Sequence, residues 1–218
     1  HVVYQAVHHF CAVEMSSFYL DIVKDRLYAE RTDDPARRAC QPVLYESLIA
    51  VTKLIAPLLP HTADEVWRYI PGVAEQSVQL TDMPEADTSF FDAEMEKEWE
   101  QFIGLREEVF KALEEARKDK RIGNSLSAAV HIYPDETAKK VLDRFPNLDT
   151  LFIVSQVVVH EPGEPRGEEA AVYNKLAVAV KLAEGEKCER CWMVTTDVGH
   201  HKEHPTVCKR CGDVLQSL

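Results

Sequence analysis

Cys188-Glu189-Arg190-Cys191 and Cys208-Lys209-Arg210-Cys211 decide how the end of this chain folds. Each is a C-x-x-C knuckle, and residues 192–207 separate them. A two-residue gap turns a pair of sulfurs toward one point. A loop of this length returns a second pair to close a tetrahedron, the spacing of a four-cysteine zinc site. All four positions are then filled by protein, so the metal is structural and leaves no position open for substrate or water. So short a module buries little apolar surface, and metal binding supplies its folding energy. His200, His201 and His204 lie between the knuckles but are surplus to a full tetrahedron. One structural Zn2+, held by Cys188, Cys191, Cys208 and Cys211, is therefore the expected cofactor.

Trp192 directly follows the first knuckle. It has two readings. It packs under the ribbon as part of a thin core, or it offers an unpaired base a stacking platform beside the Arg190 guanidinium. Lys209 and Arg210 add local positive charge suited to phosphate. A further basic run, Arg117-Lys118-Asp119-Lys120-Arg121, closes a helical pattern beside Gly123-Asn124-Ser125. Cations are favoured at a helix C-terminus by its dipole, so this run reads as a solvated helix end or as an RNA contact.

Outward from the tail, the period of the apolar residues changes twice. Residues 2–30 carry Val3, Val7, Phe10, Phe18, Ile22 and Leu27 near helical spacing and read as one long helix. Asp34-Pro35 opens a second helix, with Pro42 expected to kink it or delay its start and Pro57 and Pro60 to end it. Thr62-Ala63-Asp64-Glu65 has the form of a capping box for a short helix to Tyr69. Residues 71–91 read as an extended connection, after which Asp92 caps a charged helix reaching about Lys120. Beyond residue 126 the pattern is α/β. Residues 128–133 read as a strand, 134–145 as a short helix, 151–159 and 172–182 as strands, and 161–169 as a charged linker rich in Pro and Gly. The fold expected is mainly α: a helical bundle over 1–121, a small α/β junction over 122–183 and a zinc ribbon over 184–218.

The formal net charge is -12, with 18 acidic against 10 basic side chains in residues 71–160. That counts against a general nucleic-acid binder, whose non-specific affinity comes mostly from neutralising phosphates. Any RNA surface is local and reads shape or splayed bases. The two remaining cysteines, Cys11 and Cys40, stand alone in apolar helical patterns, which points to a reducing, cytoplasmic setting. No apolar run is long enough to span a bilayer, so no membrane partner is expected. The start at His1, without Met, fits processing, an expression product or a cut from a longer chain. No Gly-rich phosphate loop, G-x-S-x-G or other catalytic constellation is present.

Several stretches together resemble bacterial isoleucyl-tRNA synthetase, a class I aminoacyl-tRNA synthetase. They are Phe10-Cys11-Ala12-Val13-Glu14-Met15-Ser16-Ser17-Phe18-Tyr19-Leu20-Asp21 with Lys24-Asp25-Arg26-Leu27-Tyr28, the segment from Ile55 through Pro60-His61-Thr62-Ala63-Asp64-Glu65-Val66-Trp67, Ile122-Gly123-Asn124-Ser125-Leu126, and Lys187-Cys188-Glu189-Arg190-Cys191-Trp192. The Pro-His-x-x-x-Glu-x-x-Trp helix is shared with the valine and leucine relatives. The first segment joined to the cysteine tail favours isoleucine. The resemblance implies a helical anticodon-binding domain, a small junction and a zinc-binding end. It implies isoleucine tRNA as partner, a monomeric parent enzyme, and Arg190 and Trp192 directed at the anticodon region. Neither a His-x-Gly-His signature nor a Lys-Met-Ser-Lys-Ser loop is present, so this chain is not expected to form aminoacyl-adenylate alone. The competing reading, favoured by the acidic balance, is a helical and zinc-ribbon scaffold for protein contacts.

Overall fold

The computed structural model describes residues 1–217 and divides the chain into two compact units, His1–Phe91 and Asp92–Leu218.

In the first unit, helix α1 (Val2–His9) runs into a π-helical stretch, Phe10–Leu20, and then α2 (Asp21–Ala29). The single α-helix expected over 2–30 is thus interrupted by wider turns. Ser17 Oγ donates to the Ala12 carbonyl five residues back at 2.8 Å, matching that wider repeat. Helix α3 (Pro35–Ile55) starts as expected, with the Asp34 carboxylate accepting from Arg37 N at 2.9 Å. It neither stops nor starts late at Pro42, which lies inside it. A proline there costs about 3 kcal/mol, but the helix is anchored on both sides. Arg37 Nε donates to the Leu27 carbonyl at 3.0 Å, while Cys40 and Thr52 are buried.

The capping box at Thr62 does not form. Helix α4 (Pro60–Tyr69) starts three residues earlier, with Pro60 as its first residue, because the fixed proline φ suits a first helical turn. Pro60 therefore begins a helix and does not end one. Ala56, Ala63, Trp67, Ile70 and Val78 form a core in which Trp67 Nε1 donates to the Glu75 carbonyl at 2.9 Å. The connection 71–91 is less extended than expected: it contains 3-10 turns at Val78–Leu80 and Thr88–Phe90, and Val78 is buried.

The second unit opens with α5 (Ala93–Lys118), capped by the Asp92 carboxylate, which accepts from Glu94 N and Met95 N, each at 3.0 Å. Its stripe of Phe102, Leu105, Val109, Ala112, Leu113 and Ala116 is buried. It falls in the compact unit that holds the sheet, where its stripe lies against strand β4 (Leu176–Leu182). Phe102 stacks on Phe145 and Phe152 with ring centroids 4.3 and 5.6 Å apart.

The sheet order is β2-β1-β4-β3. Strand β1 (Ala128–Pro134) pairs in parallel with β2 (Gln156–Val159) and antiparallel with β4. Helices α6 (Glu136–Leu142) and α7 (Leu148–Phe152) make the crossover that parallel pairing requires. Two strand expectations need correction. Residues 151–152 end α7, and only Gln156–Val159 is strand, because Leu151 and Phe152 are drawn into the aromatic core. Residues 172–182 are a hairpin, with β3 (Ala171–Val172) turning back onto β4. Among the described residues no helix is long and apolar enough to cross a membrane.

Candidate metal centre

The chain after β4 turns sharply at Gly185, whose φ of +112° suits glycine alone. A Cβ there would meet the Thr195 carbonyl at 2.2 Å. The turn sets up a two-stranded ribbon, β5 (Glu186–Lys187) with β6 (Val194–Thr195). The first knuckle forms its apex. Trp192 N donates to the Cys188 carbonyl and Cys188 N to the Met193 carbonyl, both at 2.9 Å. The second knuckle lies at the start of α8 (Lys209–Gln216), where Cys208 occupies the N-cap position and Cys211 the first turn.

The four sulfurs of Cys188, Cys191, Cys208 and Cys211 all lie within 4.8 Å of one another, and all are free thiols. Cys191 Sγ and Cys208 Sγ are 3.8 Å apart. A tetrahedron with metal–sulfur legs of about 2.3 Å has edges of about 3.8 Å, so the cluster fits one structural zinc. Cys188, Cys208 and Cys211 are buried with Val207, and Val198 and Leu215 pack on them. Crowding without a cation disfavours the thiolates. The contact with Cys211 and then burial hold the Cys191 thiol far above its usual range, and burial pushes Cys208 up to about 11. A divalent ion reverses that balance and stabilises the deprotonated set. When bound, the metal supplies cross-linking and no chemistry on a substrate.

The loop histidines stay out of the cluster. His201 Nε2 instead lies 2.8 Å from Asp213 Oδ1, with its ring over Gly212, where a Cβ would come within 2.1 Å of it. Asp197, which sequence reasoning passed over, ties the loop to both sides. It takes the Thr195 hydroxyl on one oxygen and Lys209 N, at 3.3 Å, on the other.

Of the residues singled out for RNA contact, Trp192 is not packed under the ribbon. It is 61% exposed, and its backbone holds a left-handed φ of +67°. Lys187 Nζ lies 5.3 Å from its ring centroid, a cation–π contact no spacing rule indicated. Arg190 is half-buried, and its Nη1 donates to Cys211 Sγ at 3.7 Å. Lys209 and Arg210 are exposed in the first turn of α8, where the helix dipole disfavours cations.

The 117–121 run is partly structural. Arg117 bonds Glu114 at 2.6 Å and Ser125 Oγ at 3.0 Å, and Arg121 donates to the Val180 carbonyl at 3.3 Å and pairs with Asp119 at 3.5 Å. Lys118 and Lys120 are exposed. Lys120 takes a left-handed φ of +58° that closes α5, with Arg121 N reaching back to the Ala116 carbonyl.

Residues 1–132 match the family model described as the anticodon-binding domain of tRNA ligase, and residues 185–214 match the zinc finger found in FPG and IleRS. The chain is 49% identical over 213 residues to an isoleucine–tRNA ligase of Halalkalibacterium halodurans, covering 98% of the chain and 23% of the relative. It is 51% identical over 219 residues to that of Brevibacillus brevis, covering 99% and 24%. It is 50% identical over 222 residues to that of Desulfitobacterium hafniense, covering 100% and 24%. The chain thus spans about a quarter of the length of these relatives. With its helical first unit and its four-thiol cluster in place, the chain belongs to the tRNA-ligase anticodon-binding family, in the form that bacterial isoleucine–tRNA ligases join to a zinc finger.

Proposed function

We propose that this chain recognises the anticodon stem and loop of isoleucine tRNA, serving the ligation of isoleucine to tRNA that its relatives' name describes, with ATP consumed by the parent enzyme. The observation that carries the reading is the exposed Trp192, held next to a four-cysteine centre in a chain whose first 132 residues match an anticodon-binding domain. An aromatic plane facing solvent at a rigid turn is the usual platform for an unpaired base. Lys209 and Arg210, on a helix end that disfavours them, suit neighbouring phosphates, as do Lys118 and Lys120 at the end of α5. Arg190, two residues before Trp192, offers its guanidinium as a second partner for the same base. A cytoplasmic setting follows from that role.

The test is a titration of the zinc-loaded chain with isoleucine tRNA and with the same tRNA carrying a foreign anticodon, at moderate salt. Binding at least tenfold tighter to the first supports anticodon reading. Equal binding of both, or none, contradicts it.

A further inference from the structure

Residues 161–169, rich in Pro and Gly, form a strap that runs from β2 at one edge of the sheet to β3 at the other. Two histidines lie near its start. His131 is on β1, on the side of the strand opposite the buried Val130 and Ile132, and His160 directly follows β2. His131 Nδ1 and His160 Nε2 are 3.2 Å apart, and the ring centroids 5.5 Å apart. That separation is what the nitrogen–nitrogen distance and two ring radii give when the rings meet head-on. A chelated metal would sit off that line, so the alignment is that of a single proton shared along it. His160 Nδ1 lies 3.0 Å from Glu164 Oε2 in the strap, and the other Glu164 oxygen accepts from Glu161 N at 2.8 Å. Tyr133 stacks flat on His160 at 4.1 Å.

We propose that the His131–His160 hydrogen bond is a one-proton latch that holds the 161–169 strap on the sheet and opens when the pair takes up a second proton. With no proton or one to spare, one ring donates and the other accepts. Protonated twice, both nitrogens donate, both rings are cationic, and the bond becomes a repulsion.

Burial and the surrounding charges resist a proton on His131. His131 is held below the ordinary histidine range by burial, then by Lys181 of β4 and by His160, with Glu169 of the strap opposing. Lys181 pairs with Glu169 at 3.4 Å, and Lys139 of α6 pairs with Glu161 at 3.4 Å, so the strap has an ionic tie at each end. Because the latched form disfavours the His131 proton, latching is complete above the ordinary histidine value of about 6.5 and is lost as pH falls through the lower latched value.

The test is hydrogen exchange on the zinc-loaded chain across pH 8 to 5, corrected for intrinsic exchange. In the native chain, protection of the Glu161 amide should fall by up to about tenfold per pH unit below 6.5. His131→Asn should hold it constant. Unchanged protection in the native chain, or the same fall in His131→Asn, overturns the proposal. A second readout needs no variant: the His131 ring signal and the Glu161 amide signal in NMR must share one midpoint, and separate midpoints overturn the latch.

Discussion

The hydroxyl of Ser155 accepts from Val194 N at 2.7 Å, joining the entry of β2 to the zinc ribbon. The same hydroxyl donates to the Leu126 carbonyl, so one buried side chain fastens three segments of the second unit. Ser155→Ala removes the shared hydroxyl and deprives the half-buried Val194 N–H and Leu126 carbonyl of their partner, at a cost of about 1 kcal/mol. Urea unfolding should show the loss, and zinc should pass to a chelator faster than from the native chain.

Gly185→Ala should be worse. The backbone there is left-handed, and the new methyl would overlap the Thr195 carbonyl, which belongs to β6 and cannot rotate away. The expected loss exceeds about 2 kcal/mol. It should appear as a lower melting temperature and reduced zinc content in the purified protein.

Removing the metal should unfold the tail selectively. Three of the four buried residues in the ribbon core are cysteines, so little apolar surface remains to hold it. Native mass spectrometry should find one zinc per chain. After chelation, amide signals from 186–216 should collapse while those of β1 and β4 persist. Loss of the sheet at the same chelator concentration would contradict this separation.

These dependences were unevenly legible in the sequence. The ligand set was plain because a two-residue cysteine spacing has few other uses in so short a tail. The helix starts at Asp34 and Asp92 were plain because a capping carboxylate acts on its own neighbours. What failed was decided by distant contacts. Residues 151–152 are β-prone in isolation but are drawn into a helix by the aromatic core around Phe102. Ser155, Asp197 and Lys187 matter through partners brought together by the fold, and the His131–His160 pair is separated by 29 residues. The exposure of Trp192, left open by spacing, was settled by the left-handed turn that lifts it off the ribbon.

Trp192→Ala should separate folding from recognition. The ring is exposed, so stability should change by no more than about 0.5 kcal/mol. Affinity for isoleucine tRNA should drop about tenfold, the usual loss of one stacked base. A folded, zinc-loaded variant that binds tRNA as well as the native chain would favour the scaffold reading.

The most direct measurement uses the three indole N–H signals of the zinc-loaded chain in a proton–nitrogen spectrum. Trp67 is 3% exposed and bonded to Glu75, and Trp99 lies edge-on to Phe102 and Phe145, so both serve as internal controls. On titration with the anticodon stem–loop of isoleucine tRNA, the Trp192 signal should shift and saturate while the other two hold still. A Trp192 signal that stays in place while RNA binds, or that moves equally with a stem–loop of foreign anticodon, would contradict the account.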